Sequence, residues 1–204
     1  MISGNPLPRT VEFARIFLGL TVLILLQSGS AAPAAWGLPQ LMSMLTGNAH
    51  RPVGFVERRY LHFLTRPLES SGWLSFTPPQ RVEQATLIPK KETIIADGNT
   101  LWIHHAGNSA TRVDLRNRPE IRSLVDGIRG TLSGNLAMLQ KHYTVTLRGN
   151  PQHWRLSLIP IQGDTAHVIS DIQISGAEGN VSAINFRFPN GDRSEMMITR
   201  LQHP

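Results

Sequence analysis

The chain offers eight His and fourteen Asp and Glu as raw material for chemistry, and no Cys. Zero cysteine removes disulfides, iron–sulfur clusters, thiolate zinc sites and thiol nucleophiles. His104 and His105 are adjacent, so on a strand they point to opposite faces and do not readily share one metal. Asp97 and His104 could be written into a triad with a serine, but a turn Asp and a strand His account for both more simply. Glu57, Glu69, Glu83 and Glu92 supply carboxylates, yet no spacing pairs any two as acid and base. Trp36, Trp73, Trp102 and Trp154 are too dispersed to be a base-stacking set. The sequence contains no His-Glu-x-x-His, Gly-x-Ser-x-Gly, Walker loop or Gly-x-Gly-x-x-Gly. Ser70-Ser71-Gly72 reads as the start of a strand. This inventory predicts a protein that is not an enzyme and that uses no metal and no cofactor.

The elements that would position these residues follow from periodicity. Leu38, Leu41, Met42 and Leu45 recur at helical spacing and predict a short amphipathic helix over 38–46. Val53–Leu64 reads as a strand or a helix, and the alternation of Phe55, Glu57 and Arg59 favours the strand. Gly72–Phe76, Val82–Ile88, Glu92–Ala96 and Thr100–His105 read as further strands, punctuated by Pro78-Pro79, Pro89 and Asp97-Gly98. Asp-Gly between two apolar runs is a hairpin signal, because the tight turn needs positive φ. After Val113 the period changes. Pro119 suits the first turn of a helix, and Glu120 lies near the positive end of its dipole. Ile121, Leu124, Val125 and Ile128 then fall at i, i+3, i+4 and i+7, with Gly130 expected to end the helix. Asn135 caps a second one over 136–142. Strands resume at Tyr143–Arg148, Trp154–Ile159, Val168–Ser175, Val181–Phe188 and Ser194–Thr199, a meander with tight turns.

The expected fold class is α+β, mostly β. Ten to eleven antiparallel strands form an unclosed barrel, with helices as a lid over the concave apolar face. Ile184, Phe186 and Phe188 alternate against Asn185 and Arg187, so one face of the sheet is apolar and the other wet. The apolar face needs a cover, and the three helices are what is available. Such an arrangement makes either a filled core or a ligand cavity, and periodicity does not choose between them.

The N-terminus reads as an address. Arg9 and Arg15 precede Ile16–Leu26, a run that is apolar apart from Gly19 and Thr21, and small residues follow from Ser28 to Ala35. A cationic segment, a short apolar run and an Ala-x-Ala-like site predict a cleavable signal peptide over residues 1–34, cut after Ala31 or Ala34. The apolar run is about half of the roughly 20 residues that a bilayer span needs. Residues 35–204 are then a single periplasmic domain, expected to be a monomer. Net charge is +6, and 17 of the 20 cations are Arg. Loss of Arg9, Glu12 and Arg15 leaves the mature chain one unit less positive. In an exported protein that charge favours phospholipid headgroups over nucleic acid.

Asp97-Gly98-Asn99-Thr100-Leu101-Trp102, preceded by Glu92–Ala96, carries a resemblance to a known family. Gly72-Trp73-Leu74 running to Pro79 and a second strand ended by Pro89 come before it at matching spacing. Asn180-Val181 to Phe186 and Gly191-Asp192-Arg193-Ser194 look like the last hairpin. Together these resemble the periplasmic outer-membrane lipoprotein carrier (LolA-like) proteins, over roughly Val53 to Ile198. Leu68–Gly72 and Pro119-Glu120-Ile121 look closer to a divergent branch, one found beside exporters and acyl-chain or aryl-polyene biosynthesis functions. The resemblance implies an incomplete antiparallel barrel closed by helices. It also implies a carrier that shields the acyl chains of lipid-modified cargo between the inner and outer membranes. One departure stands out: the carrier's Arg just before the strand-ending Pro, which holds its lid closed, is matched here by Pro78, with Arg81 nearby.

A carrier has a definite physical task. Exposing an acyl chain to water costs about 0.8 kcal/mol per CH₂, on the order of 12 kcal/mol for sixteen carbons. The residues expected to cover it are Leu74 and Phe76 on one face of a strand and Ile121, Leu124, Val125 and Ile128 on the helical stripe. The resemblance adds Ile94 and Trp102. Arg118, Arg122 and Arg129 flank the helix and could meet headgroups. The expected partners are a lipoprotein or other acylated cargo, an inner-membrane transporter or exporter as donor and an outer-membrane acceptor. Two other readings stand beside the carrier. One is a non-catalytic accessory protein of a lipid or polyene exporter, with a filled core. The other is a periplasmic acyl-ester hydrolase, which would need a Ser or Asp within hydrogen-bond reach of a buried His.

Overall fold

Among the described residues, eleven strands pair into one antiparallel sheet that is left open between its two edge strands. In chain order they are β1 (Val53–Tyr60), β2 (Leu68–Thr77), β3 (Arg81–Ile88), β4 (Glu92–Asp97), β5 (Thr100–His105), β6 (Ala110–Asp114), β7 (Tyr143–Asn150), β8 (His153–Pro160), β9 (Asp171–Ala177), β10 (Asn180–Arg187) and β11 (Arg193–Thr199). Among the described residues, four helices accompany them: α1 (Leu38–Asn48), α2 (Pro119–Leu132), α3 (Leu136–His142) and α4 (Gly163–Ala166). The computed structural model describes residues 36–48, 51–107, 110–161, 163–199 and 201. All of these elements belong to the unit Ala34–Pro204. The expected signal peptide lies outside the described residues.

The order across the sheet is β6-β5-β4-β3-β2-β1-β11-β10-β9-β8-β7. Every neighbour is adjacent in sequence except β1 and β11, whose pairing (Phe55 opposite Ile198, Glu57 opposite Met196) joins two half-meanders. The open edges are therefore β6 and β7. The chain passes from one edge to the other through a 3-10 turn (Leu115–Asn117), α2 and α3. Helices placed there satisfy two needs at once: they protect the edges and cover the apolar face.

Because the helices are tied to the two edges, they pack best near those edges. One core joins Leu41, Met42 and Leu45 of α1 and Leu139 of α3 to Trp154, Leu156, Leu158, Ile172 and Ile174 of β8 and β9. A second, smaller core joins Val125 of α2 and Leu115 to Ala96 and Leu101 of β4 and β5. The central strands β2, β1 and β11 contribute to neither.

Several boundaries differ from the sequence expectation. The first strand ends at Tyr60 rather than Leu64, because Leu61 and Leu64 close a turn through a 2.9 Å main-chain bond. Helix α2 runs past Gly130 to Leu132. There Gly130 is a packing residue rather than a stop: a Cβ on it would lie 2.8 Å from Leu139 Cδ2 of α3. The strand expected to begin at Val168 begins at Asp171. Its first residues are diverted into a turn after α4, which buries Ile169 in the core.

Candidate functional site

A cavity of about 190 Å³ lies where the two cores leave the middle of the sheet uncovered. Its sheet side comes from alternate residues brought into rows by the register. Phe76 faces Val82 and Leu74 faces Gln84 across β2 and β3. Ile184 lies between Met196 and Ile174, and Phe186 lies beside Ile172, across β9, β10 and β11. Its helical side comes from Leu45 of α1 and from Gly127, Ile128, Thr131 and Leu132 of α2. Arg51 is the one charged lining residue among those described, and Ser75, Gln84 and Thr131 are among the few polar ones. Asn48, Arg51 and Asn180 are exposed and form the polar open side, while Thr131 is buried and the rest of the interior is mostly apolar.

Leu74, Phe76 and Ile128 thus come together at the cavity as expected positions. Four others do not line it. Ile94 and Ile121 pack on the smaller core, Val125 is buried within it, and Leu124 packs on the larger one. Trp102 must be corrected. Its partners across the ladder are Ile95 and Arg112, whereas Leu101 lies on the inner face between Ala96 and Val113. Successive strand residues point to opposite faces, so Trp102 faces outward, 37% exposed, with the Arg112 guanidinium 5.5 Å from its ring centroid. Among the residues that sequence reasoning missed are Leu158, Ile172, Ile174, Ile184, Phe186, Met196 and Ile198. Their alternation was readable, but which strands end up opposite α2 was not.

The inner face also carries one buried carboxylate. Glu57 of β1 accepts hydrogen bonds from Ser194 Oγ at 2.6 Å and Ser70 Oγ at 3.1 Å, with Arg59 Nη2 at 3.2 Å. Its lone pairs are used internally, which is how a charge is tolerated there.

A Ser–His–Asp constellation exists, at a place the sequence did not single out. Ser123 Oγ lies 3.3 Å from His142 Nδ1, and His142 Nε2 lies 3.5 Å from Asp126 Oδ2. Three features separate it from a working triad. Ser123 is 1% exposed, so no substrate carbonyl can reach its oxygen. Its hydroxyl donates to the Pro119 carbonyl at 2.9 Å, as serines inside helices do. Tyr143 Oη donates to the Ser123 carbonyl at 2.9 Å, so the group is a buried clamp between α2 and the α3–β7 junction. Burial pushes the His142 imidazole below its ordinary pKa, with Lys141 and Arg122 acting the same way and Asp126 opposing. The structure thus favours a neutral imidazole in a structural role.

Arg81 does not reach the helices. It pairs with Glu83 at 3.1 Å and Asp97 at 3.5 Å along the β3–β4 surface. The arginine that ties helix to sheet is Arg129 of α2, whose Nη1 donates to the Gly98 carbonyl at 3.0 Å. Burial lowers the pKa of its guanidinium, with Asp126 opposing.

Residues 30–201 match the protein family described as outer membrane lipoprotein carrier protein LolA-like. Among solved structures, a LolA superfamily protein from Nitrosomonas europaea shares 10% identity at a TM-score of 0.44, covering 83% of this chain and 96% of that one. A putative outer membrane lipoprotein-sorting protein domain from Vibrio parahaemolyticus gives 10% identity and 0.46, covering 81% and 90%. LprF from Mycobacterium bovis gives 10% identity and 0.36, covering 82% and 93%. Likenesses this remote carry no weight for function. No curated protein matches the sequence.

Proposed function

The chain belongs to the outer membrane lipoprotein carrier protein LolA-like family, and from that premise we propose that it is a periplasmic carrier that shields the acyl chains of a lipid-modified cargo. The observation that carries this reading is the apolar cavity between β2, β10, β11 and α2. A filled-core accessory protein has no need of it. An apolar ligand gains about 25 cal/mol per Å² removed from water. The polar residues at the open side, Asn48, Arg51 and Asn180, give a charged headgroup or a polypeptide a wet place to remain while the chain is buried.

We assign the protein no catalytic role and place it in the periplasm, delivered by the signal peptide over 1–34. Among the described residues, no helix is long and apolar enough to cross a membrane. The identity of the cargo, whether lipoprotein or another acylated product, and of the donor and acceptor belongs to the same proposal. Gentle purification of the mature protein, followed by organic extraction and mass spectrometry, tests it. The expected result is a stoichiometric acylated species. Extraction of none, together with no displacement of an apolar fluorescent probe by palmitate, sinks the carrier reading and leaves the accessory protein.

A further inference from the structure

A second, polar depression of about 460 Å³ lies between α2, α3 and the β2–β3 and β4–β5 turns. It sits on a different side of α2 from the cavity: Arg122, Asp126 and Arg129 are turned about 100–160° from Ile128 at 3.6 residues per turn. Arg122, Arg129, Lys141 and His142 line it, with Asp126 as its one carboxylate and Gln80, Asn99 and Asn135 as neutral polar groups. Three permanent cations thus converge on one acid.

Arg129 makes the arrangement more than a solvated charge cluster. It is 5% exposed, yet its Nε and Nη2 have no hydrogen-bond partner. Only Nη1 is engaged, by Gly98 O at 3.0 Å, with Asp126 Oδ1 at 3.6 Å. Asp126 does not supply the missing acceptors: it approaches only Nη1, and it also faces Arg122 at 3.6 Å and His142 at 3.5 Å. A buried guanidinium with idle donors is costly, and an oxyanion held beside it by Arg122 and Lys141 offsets the cost of its uncompensated charge. The planar fork of arginine suits phosphate in particular.

We propose that this depression binds a phosphate-class oxyanion, either a lipid phosphate headgroup or a free phosphate. The site needs no apolar cargo, so it stands or falls separately from the carrier reading. Calorimetric titration with inorganic phosphate and with glycerol phosphate reads the soluble source. Co-sedimentation with phosphatidylglycerol against phosphatidylcholine vesicles reads the lipid source. Arg122→Gln and Lys141→Gln are each expected to weaken the binding about tenfold. Arg118→Gln removes the same charge outside the depression and is expected to change it little. Binding of the free anions, or of anionic vesicles alone, with this pattern of variants supports the site and assigns its source. No binding in either arm, or equal losses in all three variants, overturns it. Arg129→Gln tests the buried donors directly. If that variant does not fold, the two more exposed positions decide.

Discussion

Arg129 Nη1 and the Gly98 carbonyl, 3.0 Å apart, fasten the last turn of α2 to the β4–β5 turn. The bond joins the helix that roofs the cavity to the sheet beneath it, from an arginine on the helix rather than from the strand position that Pro78 occupies. Arg129→Met keeps the aliphatic stem and removes the tie. The expected result is faster amide exchange in α2, a several-fold faster release of a bound apolar probe, and a melting temperature lower by a few degrees. Unchanged exchange in α2 would show that the tie does not restrain the helix.

Ile128 and Leu124 separate lid from core. Ile128 faces the cavity, whereas Leu124 packs on the larger core. Ile128→Glu is expected to abolish binding of an apolar fluorescent probe with a melting shift of only a few degrees. Leu124→Glu places an unpaired charge against packed side chains and is expected to destabilise by about 3 kcal/mol or more. Paired thermal melts and probe titrations read both, and the reverse ranking would contradict the assignment.

Filling the cavity should act differently from emptying it. Leu74→Trp adds volume where space exists, so it is expected to block the probe while leaving stability within about 1 kcal/mol of the parent. A large loss of stability would mean that the space beside Leu74 is closed in solution.

His142 links stability to pH. Burial holds its folded-state pKa below the ordinary value of 6.5. As pH falls through about 6.5, the unfolded chain takes up a proton that the folded chain refuses, so stability declines. Asp192 acts lower down. His62, through its backbone N–H and side chain, holds its carboxylate below the usual range, so that contribution is lost only under about pH 4. The expected result is a fall in melting temperature between pH 7.5 and pH 5 that is reduced in His142→Gln. Parallel curves for the two proteins would assign the decline elsewhere.

Export is checked by intact mass. The protein recovered from the periplasm is expected to begin after Ala31 or Ala34. Recovery of the chain starting at Met1 in the membrane fraction would replace the cleaved signal with an anchor.

Periodicity alone was enough for ten of the eleven strands, all but β6, and for α1, α2 and α3. Alternation such as Ile184 and Phe186 against Asn185, and the i, i+3, i+4 stripe from Ile121, report local geometry that each segment carries in its own residues. The Pro-terminated strands and the Asp97–Trp102 hairpin were likewise local, and their order was enough to recognise the family. What the sequence could not decide was which apolar residues share a space. Trp102 and Leu101 are neighbours in an apolar run, and only the register against Ala96 and Val113 turned Leu101 inward and Trp102 outward. Ile128 reached the cavity and Ile121 the smaller core, although both lie on one stripe, because α2 crosses from one core toward the other. Arg129 read in the sequence only as one of the charges flanking the helix. Its burial depends on the β4–β5 turn, 31 residues away, arriving beneath it. Local pattern sets which face of an element is apolar, but a cavity is a gap between elements, and only their packing leaves one.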